Sequence, residues 1–203
     1  MATDPALIEA SATDIVHFVG NALQTIQSLQ SLLSQPEGES AFVGVDRMVG
    51  RWLAVLSVVY RQIGVASVDR LDALALFDAL CGEFSADAIA VTRSSMNTAT
   101  MDAATAFRCG LSLVQIGSLV EGAARALRTV DEPRVCEVRL HGIDAGGAQY
   151  RITTHRIMRA PLALALEHDT VLRALCPTCE VATPGRRGAT PAIDVRIRHD
   201  RGN

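Results

Sequence analysis

The sequence predicts an α+β protein in which a long helical hairpin precedes a sandwich of helices and strands. Residues 5–35 and 40–63 carry apolar side chains every three or four positions, which is the spacing of amphipathic helices. The segments 135–140, 150–157 and 192–198 instead alternate apolar and polar residues, as half-buried strands do. The sequence also predicts helices from Val68 to Phe84 with Asp69 as N-cap, from about Ala103 to Thr129 and from Pro161 to about Leu175, short strands over 88–93 and 98–101, and a turn over 142–147. This order favours helices packed on one face of a mixed or antiparallel sheet.

Composition and charge exclude several classes of protein. Hydrophobic residues make up 49% of the chain, enough for a large core, and the charged fraction of 20% is too low for a disordered chain. With a net charge of -3, the chain has no excess of positive charge that would attract nucleic acid or an anionic membrane. The sequence shows no signal peptide, and no uninterrupted apolar stretch approaches the roughly 18 residues of a membrane-spanning helix. Together with an odd number of cysteines, 5, these features predict a cytoplasmic protein with reduced thiols.

The two N-terminal helices are predicted to form an antiparallel hairpin. The segment QPEGES, residues 35–40, predicts a tight turn, after which Ser40 is a suitable N-cap for the second helix. Two such helices leave apolar surface on more than one side, and a second copy would cover it by forming a dimeric four-helix bundle. The alternative is that the rest of the same chain covers it. We therefore predict a hairpin domain over residues 1–65 and an α+β domain over residues 66–203.

One face of the first helix carries polar side chains around a histidine. The apolar seam of this helix is formed by Ile15, Val19, Ala22, Leu23, Ile26, Leu29 and Leu33. His17 lies off this seam, because successive residues are about 100° apart around a helix. Asp14 lies one turn before it, and Asn21 and Gln24 lie one and two turns after it on the same face. A lone exposed histidine usually has no special role. A carboxylate behind this imidazole and amide groups ahead of it favour a function.

The run HFVGNALQ, from His17 to Gln24, resembles the phosphoacceptor box of sensor histidine kinases, in particular the HWE-type class in which the box reads H-R-x-K-N-x-L-Q. It departs from that box at Phe18 and Gly20, where the family has Arg and Lys. The positions that agree are His17, Val19, Asn21, Leu23 and Gln24. The resemblance implies that His17 accepts a phosphoryl group and that the hairpin dimerises.

A second resemblance covers the remainder of the chain. The order of helices and strands after residue 66 is similar to the Bergerat fold, the ATP-binding domain of the same kinases. The family's magnesium-binding Asn falls on Gly122, which has no side-chain oxygen to offer a cation. The Asp-x-Gly-x-Gly turn that reads adenine is absent between Tyr150 and Pro161, and the helix predicted to begin at Pro161 leaves almost no room for a nucleotide lid. The resemblance is thus to a degenerate Bergerat domain that binds no ATP.

As a whole, the chain resembles a bacterial histidine phosphotransferase built as a degenerate, dimeric histidine kinase. The resemblance implies that His17 takes a phosphoryl group from the aspartate of one response-regulator receiver domain and passes it to the aspartate of another, in a two-component phosphorelay. Asp14 is expected to orient the imidazole, and Asn21 or Gln24 to hold the phosphoryl oxygens. No cofactor and no autokinase activity are expected, because the receiver supplies the magnesium.

Phe18 and Arg61 are predicted to contact the receiver domain. Phe18 follows His17 directly, and Arg61 is expected at a similar level on the second helix. An exposed phenylalanine beside the nucleophile would pack on an apolar patch of the receiver and exclude water from the phosphoryl group.

An alternative function is a non-catalytic dimeric scaffold or pseudokinase module that binds receivers without phosphotransfer. The loss of both basic residues of the box, at Phe18 and Gly20, favours this alternative. Outside the hairpin, Cys176 and Cys179 form a single C-x-x-C, which has half the ligands of a structural zinc site and follows a helix. We predict that this pair is a loop with two thiols.

Overall fold

The structure, a computed structural model, places two long helices at the start of the chain, α1 (Pro5–Leu33) and α2 (Ser40–Ile63), which pack against each other as the predicted hairpin. Four further helices follow: α3 (Ala73–Phe84), α4 (Ala103–Ala126), α5 (Arg159–His168) and α6 (Thr170–Leu175). The structure describes residues 5–33, 40–63, 70–84, 89–93, 100–126, 136–144, 147–153, 159–176, 178–183 and 192–198.

The strands form one large sheet and one small ladder. In chain order they are β1 (Leu71–Asp72), β2 (Ile89–Arg93), β3 (Thr100–Met101), β4 (Cys136–Asp144), β5 (Gly147–Thr153), β6 (Thr178–Ala182) and β7 (Ala192–Arg198). The large sheet has the order β2-β4-β5-β7-β6, and β1 pairs with β3 separately. Of the pairings in the large sheet, β2 with β4 is parallel and the others are antiparallel, so the prediction of an α+β fold with a mixed sheet is confirmed.

One face of the sheet meets the helices. On β5, Ala148, Tyr150 and Ile152 are buried, whereas the residues between them are partly exposed. This alternation is the period-2 pattern that the sequence shows, because successive side chains of a strand point to opposite faces. Tyr150 also donates a hydrogen bond from its hydroxyl to the backbone carbonyl of Cys109 on α4, at 3.1 Å. The sheet is thereby held against α4.

Helix α4 lies at the centre of the fold. It contacts the helices α1, α2, α3, α5 and α6 and three strands of the large sheet, β2, β4 and β5. Among the residues that the structure describes, it is the helix that is long and apolar enough to cross a membrane, over Ala103–Ala123 with a mean hydropathy of 1.3, and 72% of its apolar stretch is buried inside the fold. A search for uninterrupted apolar stretches does not detect this helix, because Arg108, Ser112 and Gln115 interrupt its apolar residues.

The hairpin packs closely on α4. Gly110 of α4 makes this approach possible, since a Cβ at that position would lie 2.5 Å from Cγ1 of Val55 on α2. Farther along α4, Glu121 accepts a hydrogen bond from Arg51 of α2 at 2.8 Å. The buried side chains of the hairpin and of the remaining chain belong to one cluster. The rest of the chain therefore covers one face of the hairpin, and the core runs across the predicted domain boundary at residue 65.

Helix α3 begins later than the sequence predicts. Asp72 caps it, because its Oδ1 accepts hydrogen bonds from the backbone N–H groups of Leu74 and Ala75 at 2.8 and 3.3 Å. The ladder between β1 and β3 holds Leu71 and Asp72 in extended conformation, which postpones the start of the helix. The predicted cap, Asp69, lies outside the described residues.

The single helix predicted from Pro161 to Leu175 is two helices. Asp169 interrupts it in an extended conformation, with φ -65° and ψ 121°, and its Oδ1 accepts a hydrogen bond from the N–H of Leu172 at 2.7 Å. This side chain starts α6 as an N-cap. Its second oxygen accepts from Nε2 of Gln115 on α4 at 3.0 Å, so the break is anchored to the central helix.

The sheet is also longer than predicted at two places. The turn predicted from Gly142 begins later, because β4 continues to Asp144 past an irregularity in its pairing between Leu140 and Gly142. The loop predicted for the C-x-x-C motif is wrong for Cys179, which lies in strand β6 and pairs with β7. In β6, the apolar residues Cys179 and Val181 alternate with the exposed polar residues Thr178 and Glu180 and pack against the core, but this run is only 5 residues long.

Candidate functional site

Helix α1 presents His17 to solvent beside its buried face. The side chains of α1 that are buried in the core are Phe18, Ala22, Ile26 and Leu29. Their spacing of three and four residues makes one stripe, and the position before Phe18 falls at its edge. His17 is exposed, as its place off the apolar seam predicts. The stripe itself is rotated from the predicted seam, because Leu23, expected within it, is 42% exposed.

An open groove of about 560 Å³ lies between α1 and the first two turns of α4, and His17 lines it. Helix α1 contributes Asp14, His17, Phe18, Asn21, Ala22 and Thr25. Helix α4 and its cap contribute Asp102, Ala103, Ala104, Phe107 and Arg108. The candidate phosphoacceptor on the hairpin therefore shares one site with the second part of the chain.

The floor of the groove is an aromatic pair. Phe18 of α1 meets Phe107 of α4 edge to face, with ring centroids 6.2 Å apart and an interplanar angle of 88°. Phe18 is only 8% exposed, so the prediction that its side chain is exposed is wrong. The reason is the position of α4, which covers this part of α1. Phe18 instead fixes α4 beside His17.

The α4 side of the groove begins with a rigid helix cap. Asp102 accepts hydrogen bonds from the backbone N–H of Thr105 at 2.7 Å and from the Thr105 hydroxyl at 3.0 Å, and its backbone carbonyl accepts from the N–H of Ala106 at 2.9 Å. Both carboxylate oxygens of Asp102 are thus occupied within the helix start. This arrangement holds a negative charge at a fixed place on the rim of the groove.

The structure brings together some of the predicted site residues and not others. Asp14, His17 and Asn21 line the same groove. Gln24 is exposed but does not line it, and neither does Arg61, which is exposed on the last turn of α2. Among the residues that the structure describes, none forms a hydrogen bond with the imidazole of His17, so its orientation by Asp14 stays a prediction.

Three polar residues of the groove are absent from the set that the sequence predicts: Thr25, Asp102 and Arg108. Thr25 continues the stripe of Asn21, but its hydroxyl donates to the backbone carbonyl of Asn21 at 2.9 Å and so belongs to the helix. The pattern Asp-x-x-Thr marks Asp102 as a helix cap in the sequence. Nothing in the sequence indicates that this cap lies opposite His17, because that proximity depends on how α4 packs.

The C-x-x-C motif does not form a reactive site. Cys176 is buried, and its sulfur lies 3.4 Å from the hydroxyl oxygen of Ser112 on α4. Burial raises the pKa of the Cys176 thiol to about 12, against a smaller opposing effect of the Ser112 hydrogen bond. Burial also raises the pKa of Cys179. Both thiols stay protonated at neutral pH, which disfavours metal binding and nucleophilic attack. Within the described part of the chain, no three His, Cys, Asp or Glu side chains are placed to hold a metal.

Gly122, on which the sequence resemblance places the magnesium ligand of the kinases, is exposed and has no side chain. Gly122 lies on the surface of α4, and a Cβ there would meet no atom within 4 Å. Its neighbour Glu121 is buried and pairs with Arg51, and Arg47 lies 3.8 Å from its second oxygen. This stretch of α4 therefore contacts the hairpin through Glu121. The sequence resemblance implies a nucleotide-binding residue at the same stretch.

No family model matches the chain, and no curated protein does. Among solved structures it is similar to the blue-light activated histidine kinase EL346 of Erythrobacter litoralis, with a TM-score of 0.55 and 14% identity over 95% of this chain. The chain spans 63% of that protein's length. The histidine kinase domain of the same protein gives a TM-score of 0.39 at 15% identity, over 88% of this chain and 94% of that one. A bacterial phosphotransferase gives 0.38 at 14% identity, over 96% and 98%. The α+β fold of this protein is histidine kinase-like.

Proposed function

We propose that this protein is a histidine phosphotransferase, which relays a phosphoryl group between receiver-domain aspartates through His17. The observation that carries the proposal is the exposed imidazole of His17 in a groove with Asp14 and Asn21, on a histidine kinase-like fold. An accessible imidazole is what phosphotransfer requires, because the aspartyl phosphate of another protein must reach it. The groove supplies space for that encounter.

The chemistry of each transfer is nucleophilic displacement at phosphorus. The lone pair of a neutral ring nitrogen of His17 forms the new P–N bond, while the P–O bond to the receiver aspartate breaks and the carboxylate leaves with the electron pair. The N–H proton of the phosphorylated ring passes to a base, for which Asp14, one turn earlier on α1, is our candidate. The amide of Asn21 donates to the phosphoryl oxygens. The same steps in reverse deliver the group to a second receiver, and the receiver holds the magnesium.

We also propose that the protein neither binds ATP nor phosphorylates itself. Gly122 stands where the related kinases carry their magnesium-binding Asn, and the adjacent Glu121 is engaged by Arg51 of the hairpin. In this view the degenerate domain is a structural support for the groove. The proposal predicts that calorimetry with Mg-ATP detects no micromolar binding.

Exposed apolar residues on the hairpin support the proposed homodimer. On α1, Val16 and Leu23 are 70% and 42% exposed, and on α2, Leu53 and Tyr60 are 44% and 52% exposed. The members of each pair are seven residues apart, which is the spacing of a helix–helix seam. We propose that these stripes form the four-helix bundle with a second copy. Light scattering at micromolar concentration should then give twice the chain mass of 21.6 kDa.

The phosphotransfer itself is tested with phosphorylated receiver domains. Incubation should place acid-labile, alkali-stable phosphate on the wild-type protein, and a second receiver should then remove it. His17→Ala and His17→Gln should carry no phosphate, with unchanged thermal unfolding, because the side chain is exposed. His168→Ala is the matched control, since His168 is also exposed but lies on α5, outside the groove.

Two outcomes would reject the proposal. If His17→Ala is phosphorylated as well as the wild type, the histidine is not the acceptor. If neither protein is phosphorylated and both still bind receivers, the protein is the dimeric scaffold or pseudokinase of the alternative reading.

A further inference from the structure

We infer that Arg108 of α4 binds the phosphoryl group carried by His17, so that the phosphohistidine site is built from both parts of the chain. This inference deepens the proposed function and rests on His17 as the phosphoacceptor. It adds a residue that lies 91 positions after His17 in the sequence (108 − 17 = 91) and outside every recognised motif.

The geometry places Arg108 on the groove at a fixed position. Ala104 and Arg108 lie one turn apart on the same stripe of α4, and both line the groove opposite α1. The residue before Arg108 is Phe107, whose ring is held against Phe18 at 6.2 Å. Phe18 directly follows His17 in α1, and Phe107 directly precedes Arg108 in α4. The contact between the two rings therefore holds the turn of α1 that carries His17 against the turn of α4 that carries Arg108.

The charges of the groove require a cation near the phosphoryl group. Two carboxylates, Asp14 and Asp102, and one guanidinium, Arg108, line it, and Arg108 is the only Lys or Arg among the described lining residues. A phosphoryl group would bring further negative charge beside these carboxylates. Without a neighbouring cation, the phosphorylated state would be disfavoured by like-charge repulsion.

Arg108 is available for that task. Among the described residues no carboxylate forms an ion pair with Arg108. Arg108 is exposed and lines the groove, and the planar set of donors on its guanidinium matches two phosphoryl oxygens at once. Arg108 would thus stabilise the phosphohistidine while Asp14 and Asp102 keep the group labile enough to leave.

Phosphoramidate tests this inference on the full-length protein without any receiver. A ring nitrogen of His17 forms the new P–N bond, the P–N bond of phosphoramidate breaks, and ammonia leaves with the electron pair and a proton. The 31P signal of the phosphohistidine is then followed against pH. A nearby cation favours the dianion, so the titration midpoint in Arg108→Ala should lie about one pH unit above that of the wild type. Arg108→Lys should fall between them, because it keeps the charge and loses the planar fork.

Arg139→Ala is the matched control. Arg139 is an exposed arginine on β4 that hydrogen-bonds Glu137 at 2.7 Å and does not line the groove, so its removal should leave the midpoint at the wild-type value. Circular dichroism should show that all variants are folded, since the arginines replaced are exposed. An equal midpoint in Arg108→Ala and the wild type would overturn the inference. The inference would also be overturned if phosphoramidate placed no phosphate on His17 of the wild-type protein.

A parallel assay with phosphorylated receivers separates this inference from the proposed function. Arg108→Ala should slow transfer to His17 about tenfold or more, the effect of losing one charge-assisted hydrogen bond. If receivers never phosphorylate His17 but the 31P midpoint still moves, the relay is wrong and the Arg108 site stands. If receivers phosphorylate wild type and Arg108→Ala at equal rates with equal midpoints, the relay stands and the Arg108 site is wrong.

Discussion

Phe18 occupies a position where the kinase box that this sequence resembles carries an arginine, and its burial explains why an apolar residue suits this chain. The sequence of α1 offers two apolar stripes with helical spacing, one through Leu23 and one through Phe18. Both satisfy the periodicity of an amphipathic helix, so periodicity alone does not distinguish them. The packing of α4 on α1 selects the stripe of Phe18, which becomes 8% exposed while Leu23 remains 42% exposed. The side chain next to His17 is therefore a structural anchor.

Truncation of Phe18 tests this role. Phe18→Ala should lower the free energy of unfolding by about 3 kcal/mol, because it removes a buried ring and leaves a cavity against Phe107. Leu164→Ala is the control, since Leu164 is 58% exposed on α5 and its loss should change stability by less than about 0.5 kcal/mol. Urea unfolding followed by circular dichroism measures both. Equal midpoints for the two variants would contradict the anchoring role.

Cys176 makes stability depend on alkaline pH. Its pKa is raised by burial from an ordinary value of 9.0 to about 12, so the folded state keeps a proton that the unfolded chain loses. The free energy of unfolding is therefore greatest below pH 9 and should fall as the pH rises toward 12, by at most about 1.4 kcal/mol per pH unit. The 19 basic residues are all arginine, so no lysine titrates in this window.

Urea unfolding at pH 8 and pH 10 measures this dependence. Cys176→Ala should lose less stability between the two values than the wild type does, because the buried thiol is gone. Background changes from tyrosine titration are common to both proteins and cancel in the comparison. A variant with the same pH dependence as the wild type would show that Cys176 is accessible to hydroxide.

At the scale of single elements, most helices and strands follow from the sequence. The starts of α2 and α4 and the extents of β2 and β7 agree with their predicted positions within about two residues. The breaks do not follow as well. Asp169 divides one predicted helix because its two oxygens bond Leu172 and Gln115, and Gln115 lies 54 residues away in the chain. A contact of that separation has no local signature, so the sequence reads as a continuous helix.

Two glycines on α4 should respond in opposite ways to the same substitution. Gly110→Ala should lower the free energy of unfolding by about 1 to 3 kcal/mol, because the new Cβ would overlap the stiff side chain of Val55. Gly122→Ala should raise it by about 0.5 to 1 kcal/mol, because the position is exposed and alanine favours helix. Thermal unfolding of the two variants beside the wild type decides this. Stabilisation by both substitutions would mean that α2 does not approach α4 so closely.

At the scale of the whole molecule, the groove is the feature that the sequence cannot supply. Helical spacing is enough to predict the groove residues that the hairpin contributes, because they are neighbours on one helix: Asp14, His17 and Asn21. Asp102 and Arg108 come from a distant segment, and only the packing of α4 on α1 places them there. The packing also joins the predicted domains of residues 1–65 and 66–203 through one core.

We expect the chain to unfold as one unit. Trp52 is the single tryptophan, it lies in α2, and it is fully buried in the shared core, so its fluorescence reports on the hairpin. Circular dichroism reports on all helices and strands. Because the hairpin and α4 share the core, the two signals should give the same midpoint in urea at one protein concentration. A fluorescence midpoint clearly separated from the circular dichroism midpoint would show two independently stable domains.

The shared core also determines how a partner meets His17. A rotation of α4 away from the hairpin would expose Trp52 and Val55 to water and would separate Phe18 from Phe107. Each of these large side chains loses about 1.5 to 3 kcal/mol on exposure, so such a motion is strongly opposed. The α4 wall of the groove is accordingly held in place, and in the proposed function an incoming domain would find its binding surface already assembled. Little conformational entropy would be lost on docking, and the residence time of each partner would then be governed by its own contacts rather than by a rearrangement of this protein.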